Sequence, residues 1–217
     1  GEQWTPRMVW GVEDIVMCPG KEDMFRFLED VVREVVPLFP GKYFHIGGDE
    51  CPKTSWKNCP ACQKRIEAEG LQADGKHSAE ERLQSYVIKR MEKMLAKYDR
   101  KIIGWDEILE GGLSPDATVM SWRGTSGGIS AALQKHDVIM TPGSGGLYLD
   151  HYQGDYKIEP VTIASSPAYL SKTYNYEPVP DTIKSLGLEK HILGVQCNNW
   201  SEYMYTNAKM EYQMYPR

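Results

Sequence analysis

Apolar and polar positions along the chain switch repeatedly between a helical period and a strand period. Over residues 22–36, Phe27, Leu28, Val31, Val32, Val35 and Val36 recur at helical spacing, and Pro37 stops the run. Residues 42–46 read as a short strand that ends in the doublet Gly47-Gly48. A short helix is predicted over residues 60–69, closed by Gly70. Ser78-Ala79-Glu80-Glu81 is a capping box, and it opens a helix to about Lys97 with Leu83, Val87, Met91, Met94 and Leu95 turned inward. Residues 101–105 and 118–122 read as strands, 126–134 as a helix and 137–141 as a strand. Residues 151–180 are polar and rich in Pro and Tyr, which predicts an ordered loop over one face. Residues 191–198 are the last clear strand, and a helix begins at Asn207.

This alternation is the pattern of βα units around a parallel sheet, so the fold class is α/β. No repeat, low-complexity tract or linker divides residues 1–217, which read as one domain. About five strands are too few for a closed eight-stranded barrel, which takes ~250 residues.

The strand ends carry the chemistry. They read His45-Ile46-Gly47-Gly48-Asp49-Glu50, Gly104-Trp105-Asp106-Glu107, Ser121-Trp122-Arg123-Gly124, Tyr148-Leu149-Asp150 and Asn199-Trp200-Ser201-Glu202. In parallel βα architectures the reactive groups sit where strands end and loops begin. Acids for proton transfer beside Trp faces for stacking describe a sugar-cleaving pocket. Glu50 is the candidate general acid/base, since cleaving a glycosidic bond needs a proton on the leaving oxygen. One geometric condition applies, because successive strand side chains point to opposite faces. Asp49 and Glu50 reach one pocket only if the backbone has left the strand by residue 49, which Gly47 and Gly48 permit. His45 is expected to support the acid pair. Asp106 and Glu107 are expected to be supporting or loop acids, and His151 and Gln153 to lie on the rim.

Composition agrees with a hydroxyl-rich ligand. The chain has 13 Tyr and 6 Trp against 4 Phe, and Tyr and Trp combine an apolar face with a hydrogen-bonding tip. A net charge of −5 with no basic stripe argues against a nucleic-acid partner. No apolar run approaches the roughly 20 residues that cross a bilayer. Five cysteines are an odd number and form no evident disulfide framework. Cys59-Pro60-Ala61-Cys62 has the gap of a metal knuckle, with Cys51 nearby and His77 as the only neighbouring fourth ligand. The reading carried forward is ordinary reduced thiols, with no metal and no cofactor.

Together the five strand-end segments, in order from about Cys18 to Glu202, resemble the catalytic domain of family 20 glycoside hydrolases, the β-N-acetylhexosaminidases. The resemblance implies a partial (β/α)8 barrel made of strands four to eight with their helices, trimmed at both ends. It implies retaining, substrate-assisted hydrolysis of terminal β-linked N-acetylhexosamine, the family being an exception to the usual carboxylate pair. Asp49 would orient the 2-acetamido group, Glu50 would act as acid and then base, and Tyr148 would bond the acetamido oxygen. Trp105, Trp122 and Trp200 match the tryptophans that wall the sugar, and Asp150 and Glu202 match acids that bind its outer hydroxyls. Glu202 follows Trp200 at strand alternation, which would put both on one face. The partner expected is a glycan or chitooligosaccharide, and the parent protein is expected to be secreted or periplasmic.

There are departures from the family pattern. The arginine that normally grips the sugar from the first strand lies outside the matched region. Cys197 and Asn199 stand where the family more often carries Ala and Leu. Asn199-Trp200-Ser201 is formally a glycosylation sequon, but a glycan there would occupy the pocket, so it is read as unused, in keeping with a bacterial source. An open half-barrel would leave two unpaired edge strands, predicting a dimer or pairing with the missing half. Two rival functions remain. Gly-Gly-Asp-Glu also occurs in diguanylate cyclases, though there it continues with Phe and here with Cys51-Pro52. A non-catalytic carbohydrate-binding fragment would keep the tryptophans while losing turnover.

Overall fold

The computed structural model describes residues 8–9, 11–163 and 167–215. The helix α1 (Glu22–Val35) leads into β1 (Tyr43–His45), and two small helices follow, α2 (Thr54–Asn58) and α3 (Pro60–Ala68). The long α4 (Ala79–Ala96) feeds β2 (Lys101–Trp105), and β3 (Thr118–Ser121), α5 (Ser126–Leu133) and β4 (Val138–Met140) come next. After a long connection carrying α6 (Leu170–Tyr174) and α7 (Asp181–Ser185), the chain forms β5 (Ile192–Val195) and α8 (Asn207–Met214).

The five strands form one parallel sheet in sequence order, β1-β2-β3-β4-β5. Registers are regular from Tyr43↔Lys101 through Val119↔Val138, and a shift interrupts β4–β5 between Val138 and Ile139. The central strands are buried nearly throughout, as parallel strands covered on both faces should be. The main core joins Ile102, Val119, Val138 and Met140 of the sheet to Ile88, Met91, Met94 and Leu95 of α4 and to Ala131 and Ala132 of α5. A second cluster lies under α2 and α3, where Trp56, Cys62, Ile66 and Leu83 pack together. Among the described residues no helix is long and apolar enough to cross a membrane.

The edges behave differently. β1 and β5 each pair on one side only, and Tyr43, Leu193 and Val195 stay substantially exposed. The same openness limits α1. Of its apolar stripe Val32 and Val36 are buried as expected, but Phe27 and Val31 are exposed, and Met24 and Phe25 are buried in their place. α1 covers only the margin of the sheet, so part of its stripe has no sheet beneath it. On α4 the inward face takes Ile88 rather than Val87.

Two further expectations change. The last strand stops at Val195, so Trp200 and Glu202 follow an irregular segment and not a pleat. Hydrogen bonds nevertheless continue past the strand, with Gln196 N donating to Met140 O and a bridge pairing Tyr148 with Asn198. The five-residue helices α2 and α7 escaped the periodicity, being too short to show one. The expected loop 151–180 holds α6 and a bridge between His151 and Ile163, and its residues 164–166 lie outside the described ones.

The capping box is present in both halves: Glu81 N donates to Ser78 Oγ at 3.2 Å, and Ser78 N donates to Glu81 Oε2 at 2.6 Å. It starts the helix that delivers β2 and Trp105. Ser78→Ala should lower stability by about 1 kcal/mol, read as a fall in the denaturation midpoint. An unchanged midpoint would show that the cap contributes nothing.

Candidate active site

The acid-bearing turn begins one residue past β1. Ile46 N still bonds Ile103 O, and Trp105 N bonds Gly47 O, both at 2.9 Å, so pairing holds up to the glycines. Gly47 then takes φ +74° and Gly48 φ +96°, and Glu50 itself sits at φ +46°. These left-handed conformations suit glycine and are uncommon for Glu. They turn the chain out of the pleat, so that Asp49 and Glu50 come to one side. Space enforces the choice at Gly48, where a Cβ would lie 2.6 Å from Ile108 Cγ2.

A cavity of about 310 Å³ at this end of the sheet is lined by Asp49, Glu50, Trp105, Trp122, Tyr148, Trp200 and Glu202. Seven of the nine expected site residues therefore converge, from all five strand ends. Trp105 and Trp200 meet with ring centroids 5.8 Å apart at 54°, and Trp200 meets Tyr148 edge-on at 6.3 Å. Tyr148 is only 9% exposed, and burial raises its pKa, with a hydrogen bond from the Asn198 side chain opposing. It therefore stays a neutral phenol, able to donate, across the physiological range.

His45 and Asp150 do not line the cavity. His45 Nδ1 accepts from Gly47 N at 3.0 Å, and its ring lies 4.7 Å from that of Trp105. It supports the acid turn from the strand side. Asp150 is 1% exposed, with the imidazole of buried His151 at 3.9 Å. Burial raises its pKa, and His151 pulls the other way. Its side chain is turned inward. His151 also leaves the rim, packing edge-on to Tyr148 at 5.4 Å, and Gln153 is engaged with Tyr212 O at 2.6 Å.

The second acid pair positions Trp122. Glu107 Oε2 accepts from Trp122 Nε1 at 2.9 Å, and Asp106 Oδ2 accepts from the backbone N–H of Trp122 at 3.0 Å and Arg123 at 3.2 Å. Arg123 Nε also pairs with Asp106. Desolvation raises the Glu107 pKa, opposed by the Trp122 bond and by Arg123.

Two buried polar residues escaped sequence reasoning. Gln84 Nε2 donates to Gly48 O at 3.2 Å and to Glu107 O at 3.1 Å, joining the acid turn to the loop after β2. Lys53 donates to its Oε1. The signal was a Gln four residues before Ile88 on the inward stripe of α4. Asn198 Nδ2 donates to Thr141 Oγ1 at 2.8 Å while its oxygen accepts from Gln196 at 2.9 Å, fixing the segment that leads to Trp200. Nothing in the local pattern marks it.

Comparison with known proteins places this geometry. The family model for the glycosyl hydrolase family 20 catalytic domain matches residues 1–217. The chain belongs to this family. It is 58% identical to a β-hexosaminidase of Porphyromonas gingivalis over 99% of its own length and 27% of that protein. It is 34% identical to a β-hexosaminidase of Vibrio furnissii over its full length and 34% of the relative. The chain thus spans about a quarter to a third of these curated relatives. Among solved structures, the family 20 exo-β-N-acetylglucosaminidase of Vibrio harveyi in complex with N-acetylglucosamine superposes with a TM-score of 0.81 at 31% identity, covering 93% of this chain and 30% of that one. The expected fold, an arc of the (β/α) barrel, agrees with these neighbours.

Desolvation lowers the His45 pKa from its ordinary 6.5, and the Asp49 carboxylate opposes the shift. The folded protein therefore favours neutral His45. Its contribution to stability is full above 6.5 and declines as the pH falls from there through the folded pKa. Resonances of the His45 ring should titrate below 6.5, and Asp49→Asn should move the midpoint lower still. A midpoint that rises on this substitution would break the electrostatic link between the two residues.

Proposed function

We propose that this chain carries the active-site face of a β-N-acetylhexosaminidase. Its reaction is hydrolysis of terminal, non-reducing β-linked N-acetylglucosamine or N-acetylgalactosamine with retention of configuration. The observation that carries the reading is the convergence of two consecutive carboxylates, a buried tyrosine and three tryptophans on one cavity.

The 2-acetamido oxygen of the substrate attacks its own anomeric carbon while the bond to the leaving oxygen breaks. Glu50 gives its proton to that oxygen. Asp49 accepts from the acetamido N–H and balances the positive charge on the resulting oxazolinium, and Tyr148 donates to the acetamido oxygen. Water then attacks the anomeric carbon, passes its proton to Glu50 and reopens the ring. Because the nucleophile is already part of the bound sugar, orientation can contribute ~7–11 kcal/mol to the barrier. Trp105, Trp122 and Trp200 supply apolar faces for the sugar and its methyl group, and Glu202 the outer-hydroxyl contact. His45 holds the acid turn, and Asp150, buried beside His151, stands behind the cavity wall.

The support for turnover over a purely binding role is the cost of the acid turn. A glutamate held at positive φ beside two left-handed glycines gives a binding platform nothing, whereas it brings both acids to the cavity. In the full-length protein, Glu50→Gln should reduce kcat on a chromogenic β-N-acetylglucosaminide by on the order of 10²–10⁴-fold. It should leave binding of a thiazoline analogue of the oxazolinium largely intact. Asp49→Asn should weaken that analogue as well. Full activity of Glu50→Gln would overturn the assignment.

We further propose that the open edges at β1 and β5 seek a partner, either a second copy or the rest of the barrel. Light scattering of the 217-residue chain should show association, and a stable monomer would refute this.

A further inference from the structure

Three cysteines from two separate stretches of the chain meet at the start of α3. Cys18 Sγ lies 3.5 Å from Cys62 Sγ and 3.6 Å from Cys59 Sγ, and all three sulfurs fall within 4.8 Å of one another. The membership differs from the sequence reading. Cys18 joins from the loop before α1, and Cys51 is outside the triad. His77, the expected fourth ligand, is bound elsewhere, with Nδ1 accepting from Gly111 N at 3.2 Å.

The spacing has a physical meaning. A disulfide requires about 2.05 Å between sulfurs. Thiolates sharing one tetrahedral zinc at about 2.3 Å each lie about 3.8 Å apart. The two short distances here are near the second figure.

The surroundings are built for sulfur ligands. Cys59 precedes α3 and Cys62 lies in its first turn, the knuckle arrangement of a Cys-X-X-Cys pair. The backbone N–H groups of Ala61 and Cys62 bond the Cys59 sulfur, and that of Gly20 bonds the Cys62 sulfur. Such donors orient ligand thiolates and offset their charge. Gly20 lets the two loops touch backbone to backbone: a Cβ there would lie 2.2 Å from Ala61 C and 2.5 Å from Cys62 N. Trp56, 5% exposed, packs against Cys62 and donates its Nε1 to Met17 O at 2.9 Å, fastening the loop that bears Cys18. The open side faces a cavity of about 250 Å³ whose wall includes Asp14 and Ser55.

We propose that Cys18, Cys59 and Cys62 bind one zinc ion as thiolates, with the fourth coordination position facing that cavity. Each thiol releases its proton to solvent as the metal binds, and no redox partner is needed. Zinc fits a soft, all-sulfur set with tetrahedral spacing better than magnesium, calcium or manganese, which favour oxygen. The ion would clamp the segment before α1 to the α2–α3 unit that follows the acid turn. Its role would be positional, since the triad does not line the sugar cavity.

The test is metal analysis of the full-length protein purified without chelators. The expected result is about one zinc per chain, released when an organomercurial titrates the thiols. Cobalt exchanged into the same protein should give a thiolate charge-transfer band in the near ultraviolet and tetrahedral bands in the visible. Cys18→Ser, Cys59→Ser and Cys62→Ser should each lose the metal and lower the unfolding temperature, while Cys51→Ser and Cys197→Ser keep it. If the serine variants fail to fold, the wild-type stoichiometry and the cobalt spectrum still decide. Metal-free protein whose three thiols alkylate freely would overturn the proposal. So would a disulfide within the triad, seen as a loss of two mass units.

Discussion

The site depends on how the chain leaves β1. A strand cannot present two successive side chains to one pocket, yet the proposed chemistry needs Asp49 and Glu50 side by side. The conflict is resolved over four residues by left-handed Gly47 and Gly48 and by a Glu held at φ +46°. Such a turn is costly for a bulky residue and must be held by its surroundings. Those surroundings are specific: Trp105 N and His45 Nδ1 fix Gly47, and Gln84 fixes Gly48. The Gln84 amide also binds Glu107 O, so the acid turn shares one anchor with the loop after β2, whose Glu107 side chain holds the Trp122 indole. A polar residue on the buried face of α4 thus serves placement of the acids more than stability.

Much of this architecture was legible because it obeys simple periodicities. Residues 101–105 were read as a strand and are β2 to the residue, and the capping box at Ser78 is realised atom for atom. The glycine doublet announced a departure from the pleat, and the aromatic strand ends announced a concave, sugar-suited surface. What was illegible has physical reasons. Phe27 and Val31 belong to an apolar stripe, and no periodicity reveals that the sheet ends before reaching them. Trp200 and Glu202 do reach the cavity, but through an irregular segment anchored by Asn198, whose role depends on Thr141 and Gln196 and not on spacing. Asp150 is expected from the resemblance to bind outer hydroxyls but is buried away from the cavity, and His45 contacts the acid turn without lining the cavity. Whether each side chain faces the cavity or backs it depends on packing that the one-dimensional pattern does not contain.

The cysteines show the same lesson in another form. Proximity in sequence suggested Cys51, Cys59 and Cys62, but proximity in space substitutes Cys18, forty-one residues before Cys59. The residue that permits this is Gly20, which carries no chemistry and so attracts no notice in a search for ligands. Only the backbone contact between residue 20 and the Ala61–Cys62 peptide explains why the loop before α1 can come so close.

Electrostatics at the site follows from the same burial. Tyr148 and Asp150 are both pushed toward their neutral forms by burial. In the proposed mechanism a tyrosine that supports an amide oxygen as it attacks must keep its proton throughout, and burial of Tyr148 beside His151 and Trp200 favours that. Asp150 is buried beside His151, so a fully charged carboxylate there would be costly unless His151 or a ligand's polar groups compensated. The exposed acids of the turn stand in contrast, open to solvent and to an incoming sugar. The cavity therefore combines exposed acids, Asp49, Glu50 and Glu202, with aromatic walls from Tyr148 and the tryptophans. The proposed reaction, whose nucleophile travels with the substrate, would use both: aromatic walls to fold the acetamido group onto the anomeric carbon, and carboxylates to move the protons that let the bond go.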